Sequence, residues 1–225
     1  MGYKYEIHSH TSQASRCSRM SGLDLVKFYK NLGFAGLIVT DHFFTGNSSV
    51  PREMPWEERV DIFCSGYDEA NEAGKEYGMD VFFAWEFTYQ NADFLTYGLD
   101  KQWLYDHSDM EKWEAKEYFD ITHADGAFIV HAHPFRQAAY ITGFHLFPEL
   151  TDAVEVINSS MPDIVNERAE WYANEYNLLK IVGSDTHYTE RKYLSAMIYN
   201  TRLENMQDFI ERTINGEFTT ENIYL

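Results

Sequence analysis

The sequence predicts an α/β fold, a small barrel of six or seven β/α units, on three observations. Short apolar segments alternate with stretches of helical periodicity along the whole 225 residues. No repeat, low-complexity tract or Pro/Gly/Ser-rich linker interrupts them, so a single domain spanning 1–225 is expected. Most of the nine histidines (His8, His10, His42, His131, His133 and His187) follow directly on predicted strands. Periodicity alone does not separate a barrel from an open sheet; the histidine placement does, because a barrel gathers the C-terminal ends of its strands on one rim.

The elements follow in order. Tyr3 to Ile7 reads as a short strand, and Leu23 to Leu32 as a helix stopped at Gly33. Gly36-Leu37-Ile38-Val39-Thr40 is a second strand. A long helical stretch from Trp56 to Tyr77 closes at Gly78 and leads into a third strand, Met79 to Trp85. Asp93 to Gly98 is a fourth. After a helical stretch from Met110 to Phe119, strands are expected at Ala127 to Val130 and Ala153 to Ile157. A helix from Pro162 to Glu175 follows, with proline suited to its first turn, and Leu179 to Val182 is a late strand.

Composition bounds the function. Hydrophobic residues make up 44% of the chain, enough to bury a core. No apolar run approaches the roughly 18 residues a membrane helix needs, so no membrane partner is expected. Residues 1–6 lack the layout of a secretory signal, and two cysteines, Cys17 and Cys64, make no disulfide framework; a cytoplasmic location is expected. The net charge of −18 disfavours broad nucleic-acid binding, leaving at most a nucleotide or short oligonucleotide as substrate.

The chemistry lies at the strand ends. Residues at i and i+2 on a strand point to one face, so His8 with His10, His131 with His133, and Asp185 with His187 are each expected to aim two ligand-type side chains together. His42, in Thr40-Asp41-His42, and Glu86, after Val81 to Trp85, add an imidazole and a carboxylate able to bridge two cations. Imidazole and carboxylate without thiolate suit zinc, manganese or iron. Arg136, three residues past His133, is placed to fork onto a phosphate. Asp41 is expected to orient a ligand histidine from behind. Arg16 is a possible extra positive charge, Arg191 and Lys192 an exposed basic pair, and His107, His123 and His145 structural or surface residues.

Five segments in order, Ile7-His8-Ser9-His10-Thr11, Val39-Thr40-Asp41-His42, Ala84-Trp85-Glu86, Ala132-His133-Pro134 and Gly183-Ser184-Asp185-Thr186-His187, resemble the motifs of the polymerase and histidinol phosphatase (PHP) family. The resemblance implies a distorted seven-stranded β/α barrel with two or three divalent transition-metal ions at the C-terminal strand ends. It further implies hydrolysis of a small phosphorylated substrate by a metal-activated water. Carried over, the family pattern places His8, His10, Glu86 and Asp185 around one metal. Glu86 would bridge to a second, shared with His133, and His42 and His187 would hold a third. Asp185 and Arg136 are the candidates for direct roles in catalysis.

Two departures stand out. Ser15 and Arg16 occupy places where the family often has a ligand for the third metal, with Cys17 next to them. The fourth strand has no histidine, leaving Asp93 or an inward-swinging His131 as substitutes. A rival reading is a C–N hydrolase of amidohydrolase type, against which no strand-end lysine is evident. Another is a catalytically silent metal- or phosphate-binding regulatory protein.

Overall fold

The computed structural model describes residues 2–225, and all seven expected strands form: β1 (Tyr3–Ser9), β2 (Gly36–His42), β3 (Asp80–Tyr89), β4 (Ala92–Tyr97), β5 (Phe128–Ala132), β6 (Ala153–Asn158) and β7 (Leu179–Gly183). The helices between them are α1 (Gly22–Asn31), α2 (Trp56–Tyr77), α3 (Lys101–Asp106), α4 (Ala115–Ala124) and α5 (Asp163–Glu175). Local signals explain their limits. Ser21 and Asp24 form a reciprocal capping box at the start of α1, and Gly78 takes the left-handed conformation that ends α2.

Beyond β7, the chain adds β8 (Tyr193–Tyr199), α6 (Met206–Ile214) and β9 (Phe218–Tyr224). The expectation of seven strands is thereby corrected: among the described residues the sheet has nine, in the order β7-β6-β5-β4-β3-β2-β1-β8-β9. β9 is mostly exposed and polar, held by antiparallel pairing with β8 along its full length. A strand stabilised by backbone pairing rather than a buried face carries no hydrophobic period to read.

The sheet is also less parallel than the alternation of elements implied. β1–β2, β2–β3, β5–β6 and β6–β7 pair in parallel, whereas β3–β4, β4–β5, β1–β8 and β8–β9 are antiparallel. β3 turns into β4 through Gln90 and Asn91 alone, both with positive φ (50° and 64°), the signature of a two-residue hairpin too short for a crossover helix.

The barrel-like closure lies just past β7. Ser9 and Thr186 form a parallel bridge, with His10 N–H donating to the Thr186 carbonyl (3.0 Å) and Thr186 N–H to that of His8 (3.1 Å). The last functional motif is thus stitched to the first. Inside the ring, Tyr5, Ile7, Leu95, Tyr97, Phe128 and Val130 form an apolar plug beneath this end. Outside, α1 and α2 cover Leu37, Val39 and Val81, and the aromatic-rich cluster of Phe43, Phe63, Trp85 and Phe119 fills the space under α2 and α4. Gly66 of α2 lies so close to Thr11 that a Cβ there would sit 1.9 Å from its hydroxyl, so this glycine lets the helix press against the loop that follows β1.

Candidate metal centre

His8 is the penultimate residue of β1, and His10 follows the strand; both are fully buried, with ring centroids 5.1 Å apart. His42 closes β2 and pairs in register with Glu86 of β3, so adjacent parallel strands deliver these two side chains together. His133 follows β5, and Asp185 and His187 follow β7. Both His133 (φ 27°) and Asp185 (φ 52°) are in the left-handed region, which non-glycine residues occupy only when the surroundings hold them there. Asp185 is held by an unexpected residue: Arg191, taken from sequence as exposed, donates to the Asp185 carbonyl (3.2 Å) and to the Thr186 hydroxyl (2.7 Å), clamping the turn.

All seven metal-ligand candidates from the sequence converge on one space. Their ligand atoms fall into three overlapping triads, His8–Glu86–His133, His8–His10–Asp185 and His10–His42–His187, each with its atoms within 4.8 Å of one another. His133 Nε2 is 3.2 Å from Glu86 Oε1, and His8 Nε2 is 3.6 Å from the same oxygen. Asp185 Oδ1 lies 3.2 Å from His10 Nε2 and 3.5 Å from His8 Nε2, while His42 Nδ1 faces Glu86 Oε2.

The two sides of each imidazole tell what these contacts are for. The outward nitrogens of four are partnered: His8 Nδ1 with Glu155 (2.9 Å), His10 Nδ1 with Ser15 (3.1 Å), His42 Nε2 with Cys17 (3.2 Å), and His187 Nδ1 with the Asp185 carbonyl (3.0 Å). The inward atoms, His8 Nε2, His10 Nε2, His42 Nδ1, His187 Nε2, both Glu86 oxygens and Asp185 Oδ1, are buried without a hydrogen-bond partner. Each such orphan costs about 1–3 kcal/mol in an ordinary core, so a cluster of them facing one another needs a reason. Ligands held 2.0–2.2 Å from one ion at tetrahedral angles sit about 3.4 Å apart, close to the spacings found. The donor set fits divalent transition metals.

Electrostatics points the same way. Burial pushes the Glu86 carboxyl upward, but His42, His133 and His8 around it win, holding it well below the usual carboxylate range. Asp185 is likewise held low against its burial, by His8 and His187. Burial, with His187 and His42 adding their charge, drives His10 well below its ordinary value, into the neutral form that ligates. Against their burial, the same carboxylates raise His8, His42, His133 and His187 above the ordinary imidazole value, so a cation taken up here would displace protons from them and bind more tightly as pH rises.

Several sequence readings change. His131 does not join His133: strand β5 ends at Ala132, and the left-handed turn at His133 breaks the alternation of faces. His131 instead packs outside the ring against Phe94, Phe147 and Tyr172, with both nitrogens unpartnered and burial holding it down to about 3. Asp41 reaches a ligand-type histidine, His10, indirectly through Ser15, whose hydroxyl donates to Asp41 (2.7 Å) and also contacts His10 Nδ1 (3.1 Å). Ser15 is therefore a relay, and His10 gives the His42–His187 pair its third nitrogen. Arg16 faces a neighbouring groove instead of the central cavity. Asp93, on β4, accepts from Thr88 (2.7 Å) and Arg136 (3.0 Å) and lies 3.9 Å from His133 Nδ1. His107 and His123 lie elsewhere, bonded to Trp103 and Asp152, and His145 stands outside the cluster in a small pocket beside Asp93, His133 and Arg136.

The cluster forms the floor of a cavity of about 790 Å³. Arg136 stands on its wall, fixed by Asp93 and by Tyr140 (2.8 Å), with Cys17, Asn47 and Tyr188 also lining it. No family model matches the chain, and no curated protein matches it in sequence. Solved structures do. A two-domain protein from Bacteroides vulgatus that contains a predicted PHP-like metal-dependent phosphoesterase superposes on 98% of the chain, with a TM-score of 0.71 at 17% identity.

The chain has a PHP-like fold.

It spans 65% of the length of that two-domain protein. A proposed metal-dependent phosphoesterase from Bifidobacterium adolescentis matches 83% of the chain at 16% identity (TM-score 0.56), the chain covering 89% of it. An amidohydrolase from Chromobacterium violaceum, with bound sulfate and no metal, matches 81% at 13% identity (TM-score 0.51), with 87% of its own length covered. Within the PHP-like fold, sequence reasoning missed one residue that touches the centre, Glu155. It is a carboxylate in the middle of the apolar β6, buried completely, and a charged residue flanked by Val154 and Val156 was the available signal.

Proposed function

We propose that the chain is a metal-dependent phosphoesterase of the PHP family, hydrolysing a small phosphorylated substrate. The observation that carries this reading is the convergence of unpartnered nitrogens and carboxylate oxygens at the floor of a cavity whose wall presents Arg136. His8, His10, His42, Glu86, His133, Asp185 and His187 would hold two or three divalent ions, of zinc, manganese or iron. Bound there, such ions supply Lewis acidity and bring a water's pKa toward neutrality.

The chain's own residues do the rest. Arg136, already anchored by Asp93 and Tyr140, presents a fixed guanidinium to phosphoryl oxygens at the cavity wall and steadies charge that grows there during hydrolysis. Glu86 lies between the triads and serves both. Asp185 is held ionised by its histidines, which suits a ligand and removes it as proton donor to the leaving group. A cavity of about 790 Å³ is of small-molecule size, and Arg136 is the single basic side chain beside the histidines among the residues lining it, which favours a monophosphate over a polyanion. The sulfate bound by the Chromobacterium violaceum protein, a tetrahedral oxyanion, supports the same class of ligand. That protein is an amidohydrolase, so C–N hydrolysis is the second reading; no lysine lines this cavity. Among the described residues no helix is long and apolar enough to cross a membrane. Cys17 and Cys64 are both free, and the reading includes a reducing cytoplasm.

The test is a panel of phosphorylated metabolites and a generic phosphoester, offered to the protein loaded with manganese, zinc or iron. Turnover lost in Glu86→Gln supports the proposal. Metal binding without phosphoester turnover sinks it in favour of a silent binder, and cleavage of an amide panel alone favours the C–N reading.

A further inference from the structure

His8 belongs to two of the three overlapping triads, and since its one inward nitrogen can ligate a single ion, whatever fixes its ring fixes where that ion sits. Its outward nitrogen meets one partner, Glu155 Oε1, at 2.9 Å. The other oxygen of Glu155 accepts from the backbone N–H of His133 (3.1 Å) and from Asn158 Nδ2 (2.9 Å). One carboxylate therefore spans β1, β5 and β6, gripping a side chain on one side of the ring and, on the other, the strained backbone of a residue with φ 27°. Space is kept for it by Gly183, where a Cβ would stand 2.4 Å from Glu155 Oε1 and 2.9 Å from the His8 Cβ. Every polar atom of the Glu155 side chain is used, and it is fully buried.

Glu6, another buried acid in a strand near the site, differs. It accepts from the backbone of Ile7, His8 and Ser184 and from Tyr29, and touches no imidazole. The contrast separates an acid that shapes β1 from one aimed at a ligand ring.

We propose that Glu155 is a positioning residue for two cation positions at once: it fixes the His8 tautomer with Nε2 inward for one, and it holds His133, which with Glu86 would serve the other, in its left-handed turn. The physical basis is that a ligating imidazole is oriented and made more basic by the group bonded to its other nitrogen. Ser15 bonds the outward nitrogen of His10 and also accepts the backbone N–H of His42 (3.0 Å), so its loss should be felt differently. The proposal rests on the metal-centre reading above.

The experiment titrates metal-free protein with cobalt(II) against a competing chelator and records the ligand-field spectrum of each bound ion. Glu155→Gln keeps the shape but turns an amide N–H toward existing donors; Glu155→Asp keeps the charge but falls short of His8. Both are expected to fold in the metal-free form with wild-type far-UV circular dichroism. Both should lose about 10- to 100-fold in affinity at two cobalt positions at once, with altered ligand-field bands. Ser15→Ala should leave the position held by Glu86 and His133 unchanged. Wild-type affinity and spectrum in either folded Glu155 variant, or loss confined to one ion, overturns the proposal. Failure of both variants to fold also overturns it, making Glu155 a folding residue. Wild-type protein that takes up no cobalt would instead refute the metal-centre reading itself.

Discussion

Glu86→Gln is the sharpest single perturbation, because it changes one charge and almost no volume. Glu86 is fully buried, its oxygens unpartnered and facing His8 at 3.6 Å, His133 at 3.2 Å and His10 at 3.8 Å, besides His42. As an amide it can offer one oxygen to one ion where the carboxylate offers two. Losing the group that orients a ligand costs about 10- to 100-fold in metal affinity, and losing a ligand oxygen itself should cost about 100-fold or more. The effect on stability follows from mass action. An ion present at about 1,000 times its dissociation constant stabilises the folded state by about 4 kcal/mol, and at 10 times by about 1.4 kcal/mol. For a chain of this size each kcal/mol moves Tm by roughly 2–4 °C. Zinc at that concentration should raise the wild-type Tm by about 8–16 °C and that of Glu86→Gln by about 3–6 °C. Scanning calorimetry with and without metal, alongside elemental analysis, makes the measurement, and the metal-free samples control for folding. A variant with the full metal-induced shift, full metal content and undiminished hydrolysis would refute the assignment of Glu86 as the shared ligand.

Arg136→Ala should lower kcat/KM for a phosphomonoester by about 10- to 150-fold, the value of charge-assisted hydrogen bonds worth about 1.5–3 kcal/mol, while metal content stays unchanged; steady-state kinetics showing no loss would remove Arg136 from the substrate site. His131→Leu should raise the Tm by a few degrees and leave metal binding alone, because it replaces a buried, unpartnered imidazole among aromatic rings with an apolar side chain; a drop in bound metal would return His131 to the centre. Cys17 is held low, to about 6, since the two neighbouring imidazoles, His187 and His42, outweigh its burial. A lowered thiol pKa means thiolate persists down to that pH, so alkylation of metal-free protein by iodoacetamide at Cys17 should fall to half near pH 6. Buried Cys64 should stay unmodified throughout, and mass spectrometry distinguishes the two. A half-point near pH 9 would show that the contacts to the two histidines do not persist in solution.

The seven site residues were legible because each is chemically conspicuous and stands next to an apolar strand, so a one-dimensional pattern was enough to group them. Glu155 was not singled out, since a lone acid in a strand looks the same whether it supports a ligand or a backbone turn; compare Glu6. The pairing of His131 with His133 failed for a related reason. Face alternation holds only while the strand continues, and the strand ends between them.

By itself the sequence determined the seven strands from β1 to β7, the gathering of histidines at their ends and the excess of negative charge. These follow from local properties: side-chain apolarity with its period, and the identity of residues at strand ends. Tertiary structure alone decided the rest. Whether the sheet closes depends on the Ser9–Thr186 bridge between residues far apart in the chain. Which nitrogen of each imidazole faces inward depends on partners such as Glu155, Ser15 and Cys17, contributed by other strands and loops. The antiparallel β8–β9 extension depends on backbone pairing, which leaves no mark on side-chain pattern.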